Sequence, residues 1–126
     1  MKTLKSFLLI SLIISTITLF SQTYTWTNLG TDGLWSNSDN WDVNGEGSNG
    51  TYPGETGAED VIFDATSTDD CEIDITLSNS LNSITLTADY TGTITDNSAE
   101  IYLDGTFEIA GGTYTCGEGY FVTSDF

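Results

Sequence analysis

The sequence predicts an all-β protein, and within that class a short parallel β-helix of about three rungs beneath an irregular N-terminal cap. A β-sandwich is the alternative. Three observations carry the prediction. Apolar and polar residues alternate with period two through the second half of the chain, and no stretch shows the 3.6-residue period of a helix. The alternating segments are short, and every gap between them holds Gly, Asn, Asp or Ser. Asn-Gly hairpin dipeptides are missing between these segments, which favours coils of roughly 20–25 residues stacked in parallel over antiparallel hairpins.

The first element is a leader over residues 1–21. Lys2 and Lys5 make a positive start, Phe7–Phe20 is an apolar run broken only by Ser and Thr, and Ser21 offers a small residue for cleavage before Gln22. The run is shorter than the ~20 apolar residues a membrane-spanning helix requires. Secretion to the cell surface or the medium is therefore expected, with no membrane insertion of the mature chain.

Residues 22–64 read as a Trp-rich cap segment. They are rich in Gly, Asn, Asp and Ser, carry Trp26, Trp35, Trp41 and the only proline, Pro53, and offer two strands, Thr23–Thr27 and Asp60–Phe63. Residues 65–126 read as repeats. Strands are expected at Glu72–Leu77, Ser83–Thr87, Gly92–Thr95, Glu100–Leu103, Thr106–Ile109, Thr113–Thr115 and Tyr120–Thr123. Alternation turns Ile73, Ile75 and Leu77 to one face of the first of these, and Ile84 and Leu86 to one face of the second. The stretches SLNSITLTADYTGTIT and AEIYLDGTFEIAGGTYT share one rhythm.

Residues 24–63 carry a spaced pattern: Thr25-Trp26, Trp35 followed by Asn40-Trp41, Pro53-Gly54, and Asp60-Val61-Ile62-Phe63. This pattern resembles the N-terminal module of large secreted bacterial surface proteins, including autotransporter passengers and adhesin-like proteins exported by the type IX route. The resemblance implies a right-handed parallel β-helix and a passive scaffold or adhesin-like role. Such proteins usually run to several hundred residues, so residues 65–126 read as truncated, a fragment of a longer array.

Charge then narrows the chemistry. The chain has 19 acidic residues, two lysines and no histidine, for a formal net charge of −17. Both lysines lie in the leader, so a chain cut after Ser21 has no cationic side chain at all. Nucleic-acid binding needs Lys and Arg to displace counterions from phosphate. Ser-His-Asp and Cys-His catalysis need a histidine. Paired carboxylates suit glycoside hydrolysis, but so short a chain has little room for a cleft, and no enzymatic activity is expected.

Four candidate features remain. Trp26, Trp35 and Trp41 either plug the open end of the coil or present an aromatic platform to sugar rings of extracellular polysaccharide or surface glycans. Asp39, Asp42, Asn44 and Glu46 form the candidate metal set, since Asp42-Val-Asn44-Gly-Glu46-Gly47 resembles the first half of a calcium loop. Pro53 occupies the twelfth position, where an EF-hand needs glutamate, so calcium is expected only as a stabiliser of an extracellular domain. The pairs Glu59-Asp60 and Asp69-Asp70 are further carboxylate clusters. Cys71 and Cys116 are expected to form a disulfide in an oxidising compartment, with two unpaired thiols as the alternative. The expected function is a secreted, non-catalytic, adhesin-like module; a small carbohydrate-binding module and a calcium-stabilised domain are the alternatives.

Overall fold

Short alternating segments can bury only one face each, so they must share a core with strands distant in sequence. The computed structural model describes residues 21–97, 99–117 and 121–123. The expected leader lies outside them except for Ser21, as does Tyr120 of the last expected strand. The described chain is all-β, and its one helical element is a 3₁₀ turn at Ser38–Asn40.

Ten strands follow one another: β1 (Thr23–Trp26), β2 (Trp41–Val43), β3 (Asp60–Phe63), β4 (Cys71–Ile73), β5 (Ser83–Leu86), β6 (Thr93–Asp96), β7 (Ile101–Leu103), β8 (Phe107–Ile109), β9 (Thr113–Cys116) and β10 (Phe121–Thr123). They build three sheets, ordered β2-β1-β3-β5-β8, β4-β6-β9 and β10-β7. All pairings are parallel except β1 with β2, which is antiparallel.

The register sets what meets in the core. Tyr24 lies beside Val61, Val61 beside Ile84, and Ile84 beside Phe107. In the second sheet Cys71 lies beside Ile94, and Ile94 beside Tyr114. Isolated bridges carry the pattern further, Leu34 to Glu72 and Leu81 to Leu103, both parallel. Val61 to Ile84 and Ile84 to Phe107 each advance 23 positions along the chain, as does Cys71 to Ile94. The inward set Val61, Phe63, Ile73, Ile84, Leu86, Ile94, Ile101 and Leu103 is buried. Each such side chain contributes about 1.5–3 kcal/mol by leaving water. The core is continuous from Tyr24 to Leu103, so the cap segment and the repeats bury one common interior.

Several strand ends differ from expectation by one residue, and the departures are larger at two strands. β2 is unpredicted, because three residues inside an Asn- and Gly-rich stretch give too short an alternation to read. Its end is marked by a tight turn in which Asn44 (φ 57°) and Gly45 (φ 78°) both have positive φ, and the Glu46 amide donates to the Val43 carbonyl at 3.0 Å. The β4 segment stops at Ile73 rather than Leu77. Leu77 is nonetheless buried, reached by a loop that packs near Gly54.

Candidate functional site

The tryptophans fall in the interior. Trp26 and Trp35 are fully buried and Trp41 is 1% exposed. Trp41 sits at the centre, its ring 5.0 Å from Trp26, 4.8 Å from Trp35 and 5.7 Å from Phe63, each contact edge-on. That geometry suits the quadrupoles of aromatic rings. Each indole N–H is used internally: Trp26 donates to the Asp69 carbonyl at 3.1 Å, Trp35 to the Pro53 carbonyl at 2.9 Å, and Trp41 to the Trp35 carbonyl at 2.8 Å. The sugar-platform expectation is therefore corrected. A ring buried on both faces has none left to stack on a pyranose.

Beside Trp41 in the chain, Asn40 anchors a knot of short polar side chains that composition alone presents as a loose loop. Asn40 is fully buried. Its Nδ2 donates to Asp32 Oδ1 at 2.7 Å and to the Leu34 carbonyl at 2.8 Å, while its Oδ1 accepts from the Gly30 amide at 2.8 Å. Its carbonyl accepts from the amides of Thr27 and Asn28. Three of the four hydrogen-bonding positions on the Asn40 amide are thus filled, which ties the long loop after β1 to the start of β2. The sequence pattern includes Asn40 beside Trp41, but Asn among Trp, Asp and Ser gives no signal of burial.

The calcium set is not assembled either. Asp39 and Glu46 are exposed. Asp42 Oδ1 accepts from the Gly47 amide, and Asn44 Oδ1 accepts from the Thr23 amide at 3.0 Å. These oxygens hold the turn after β2. Among the described residues no three His, Cys, Asp or Glu side chains converge as a donor set.

No disulfide joins Cys71 to Cys116, which corrects the expected bridge. The register explains it. Cys71 lies beside Ile94 on β6, whereas Cys116 lies beside Asp96. The two thiols are thus separated by two strand spacings, about 10 Å, and a two-residue offset, beyond the reach of a disulfide. Burial pushes the Cys71 thiol well above its usual value, helped by Asp74 and Glu72. It packs as a small apolar group rather than a nucleophile.

Among the described residues, a groove of about 260 Å³ is lined by Asp32, Gly33, Asp70, Cys71, Glu72 and Thr95. Its carboxylates are engaged by the fold. Asp32 holds Asn37, Asn40 and the Leu34 amide, Asp70 accepts from the Thr93 amide at 2.7 Å, and Glu72 accepts from Asn97 at 2.6 Å. Two other acids are buried in structural positions. Glu59 Oε1 accepts from the amides of Thr56 and Gly57 and from the Thr56 hydroxyl, while its Oε2 is buried with no partner. Asp96 accepts from the Ala99 amide at 2.7 Å and from the Tyr114 hydroxyl at 3.4 Å.

Hydrogen bonds also set the acid response. The Asp32 carboxyl lies below its ordinary value of 3.8, chiefly because of Asn40. For Asp60, burial raises the value, but Ser83, Asn82 and Ser21 together outweigh it and the net direction is down. Both folded values lie below the unfolded one. The stability they contribute is therefore complete above the unfolded value and is lost as pH falls through the folded values. Urea midpoints measured from about pH 6 down to pH 2 should show this acid limb, and a double Asp32→Asn, Asp60→Asn variant should flatten it. An identical limb in the double variant would contradict the assignment.

Comparisons with protein-family models, with curated proteins and with solved structures each returned no match to this chain. No helix among the described residues is long and apolar enough to cross a membrane.

Proposed function

We propose that the chain is a secreted or cell-surface structural module: the capped first turns of a right-handed parallel β-helix, adhesin-like and without catalytic activity. The observation that carries this reading is the pair of parallel ladders advancing 23 positions per turn, β3 to β5 to β8 and β4 to β6, beneath a buried aromatic cluster. A coil of this kind presents short outward faces and extends by adding turns, which suits a spacer or display role rather than a cleft. The carboxylates that line its groove are tied to backbone and side-chain donors, a structural use. The leader pattern over residues 1–21 and the fully anionic remainder supply the extracellular part of the reading.

Localisation tests it. Antibodies raised against residues 22–126 should label intact producing cells, and the recovered protein should begin at Gln22. Recovery from the cytosol with Met1 retained would contradict the proposal.

A further inference from the structure

The chain contains two Asn-Gly dipeptides, Asn44-Gly45 and Asn49-Gly50, five positions apart in one exposed loop. Glycine after asparagine leaves the next backbone nitrogen unhindered, so both share the same intrinsic chemistry toward the asparagine side chain. The fold treats them differently.

Asn44 is held from two sides. Its amide donates to the Thr23 carbonyl at 2.9 Å and its Oδ1 accepts from the Thr23 amide at 3.0 Å, which pins it to β1. Its side-chain carbonyl thus points across to a neighbouring strand, and Asn44 and Gly45 are locked in a left-handed turn. To meet the Gly45 nitrogen, the side chain must give up Thr23 and the turn must open.

Asn49 is held the opposite way. Its Oδ1 accepts from the Thr51 amide at 3.0 Å and from the Thr51 hydroxyl at 2.5 Å, which folds the side chain over the peptide leading to Gly50. The Gly50 amide in turn donates to Ser48 Oγ at 3.2 Å. The Thr51 hydroxyl is itself 2.6 Å from the hydroxyl of Tyr24, a core residue with no exposure. The Tyr24 hydroxyl has one proton and two acceptors in reach, Gln22 Oε1 at 3.2 Å and the nearer Thr51 hydroxyl; given to Thr51, it leaves Thr51 to donate to Asn49. Two donors thus withdraw electrons from the Asn49 carbonyl while an acceptor sits on the hydrogen of the neighbouring nitrogen.

The geometry points to Asn49 as a self-modifying position, converting to aspartate and isoaspartate through a cyclic imide, while Asn44 is protected. The Gly50 nitrogen attacks Cγ of Asn49, the N–Cγ bond forms, and the Cγ–Nδ2 bond breaks. Nδ2 leaves as ammonia, taking the Gly50 amide proton. Water then opens the imide at either carbonyl; opening at the backbone carbonyl adds one carbon to the main chain. Nothing is oxidised or reduced, and water is the sole co-reactant. The product adds a carboxylate and loosens a loop that connects β2 to β3.

Peptide mapping of the folded protein during incubation at neutral pH tests the assignment. Cleavage should use chymotrypsin, since a chain lacking its leader offers trypsin no site. The expected result is aspartate and isoaspartate accumulating at Asn49 well ahead of Asn44, with the difference vanishing in denaturant. Tyr24→Phe and Thr51→Val should each slow conversion at Asn49 in the folded protein and leave the denatured rate unchanged. Equal rates at both sites in the folded state would overturn the proposal. So would faster loss at Asn44, or an Asn49 that converts no faster folded than unfolded.

Discussion

Trp41→Ala is expected to lower stability by about 3–5 kcal/mol through the lost ring alone. A further ~1–3 kcal/mol follows from leaving the buried Trp35 carbonyl without its donor. The side chain is 1% exposed and lies edge-on against Trp26, Trp35 and Phe63, so no solvent-side relaxation can refill the space. A small domain holds only about 5–15 kcal/mol in total, so the substitution should remove a large share of its stability. Trp41→Phe keeps a ring and loses the N–H to the Trp35 carbonyl; its cost should be smaller. Urea titration followed by far-UV circular dichroism separates the three proteins. A Trp41→Ala protein with the parent midpoint would mean that the ring faces solvent, and the sugar platform would return as an explanation.

Gly105→Ala is expected to cost about 1–3 kcal/mol by overpacking, although the added group is a single methyl. Gly105 lies at the corner between β7 and β8, and a Cβ there would run into the carbonyl oxygen of Asn82 on the preceding turn of chain. That obstacle is backbone, and it has little freedom to retreat. The Asn82 amide donates to the Glu59 carbonyl at 2.8 Å, and its Nδ2 donates to Asp60 Oδ1 at 2.6 Å. On the other side, the Asp104 amide donates to the Leu81 carbonyl at 2.9 Å and the Ile84 amide to the Thr106 carbonyl at 3.0 Å. The corner is therefore clamped above and below. An unchanged urea midpoint in Gly105→Ala would show that the corners are looser than these contacts require.

Particular residues show how far the sequence reaches. The alternations around Val61 and Phe63, Ile84 and Leu86, and Ile101 and Leu103 were legible because burying one face of a strand imposes a period of two. Each of these residues is buried in the strand where the pattern placed it. Trp41-Asp42-Val43 obeys the same rule, yet three residues are too few to stand out; the Asn44-Gly45 turn that ends β2 was the available signal. The candidate sites were harder to read because each depends on convergence in space. Tryptophan spacing carries no information on whether an indole meets solvent or the Pro53 carbonyl. Cysteine count suggested a bridge, but only the register shows Cys71 and Cys116 two strand spacings apart and offset by two residues. Carboxylate clustering suggested a cation, whereas Asp42 and Glu59 each give one oxygen to loop amides and Asn44 gives its oxygen to the Thr23 amide on β1.

In the proposed coil each turn lies parallel on the one before, with an advance of 23 positions from β3 to β5, β4 to β6 and β5 to β8 and of 20 from β6 to β9. Amide nuclear Overhauser spectroscopy on residues 22–126 tests it most directly, since cross-strand proton contacts report both partner and direction. Contacts are expected linking Val61 with Ile84, Ile84 with Phe107, Glu72 with Thr95 and Thr95 with Thr115, all with parallel geometry. Antiparallel contacts joining β5 to β6 and β8 to β9 as hairpins would contradict it and return the chain to a β-sandwich.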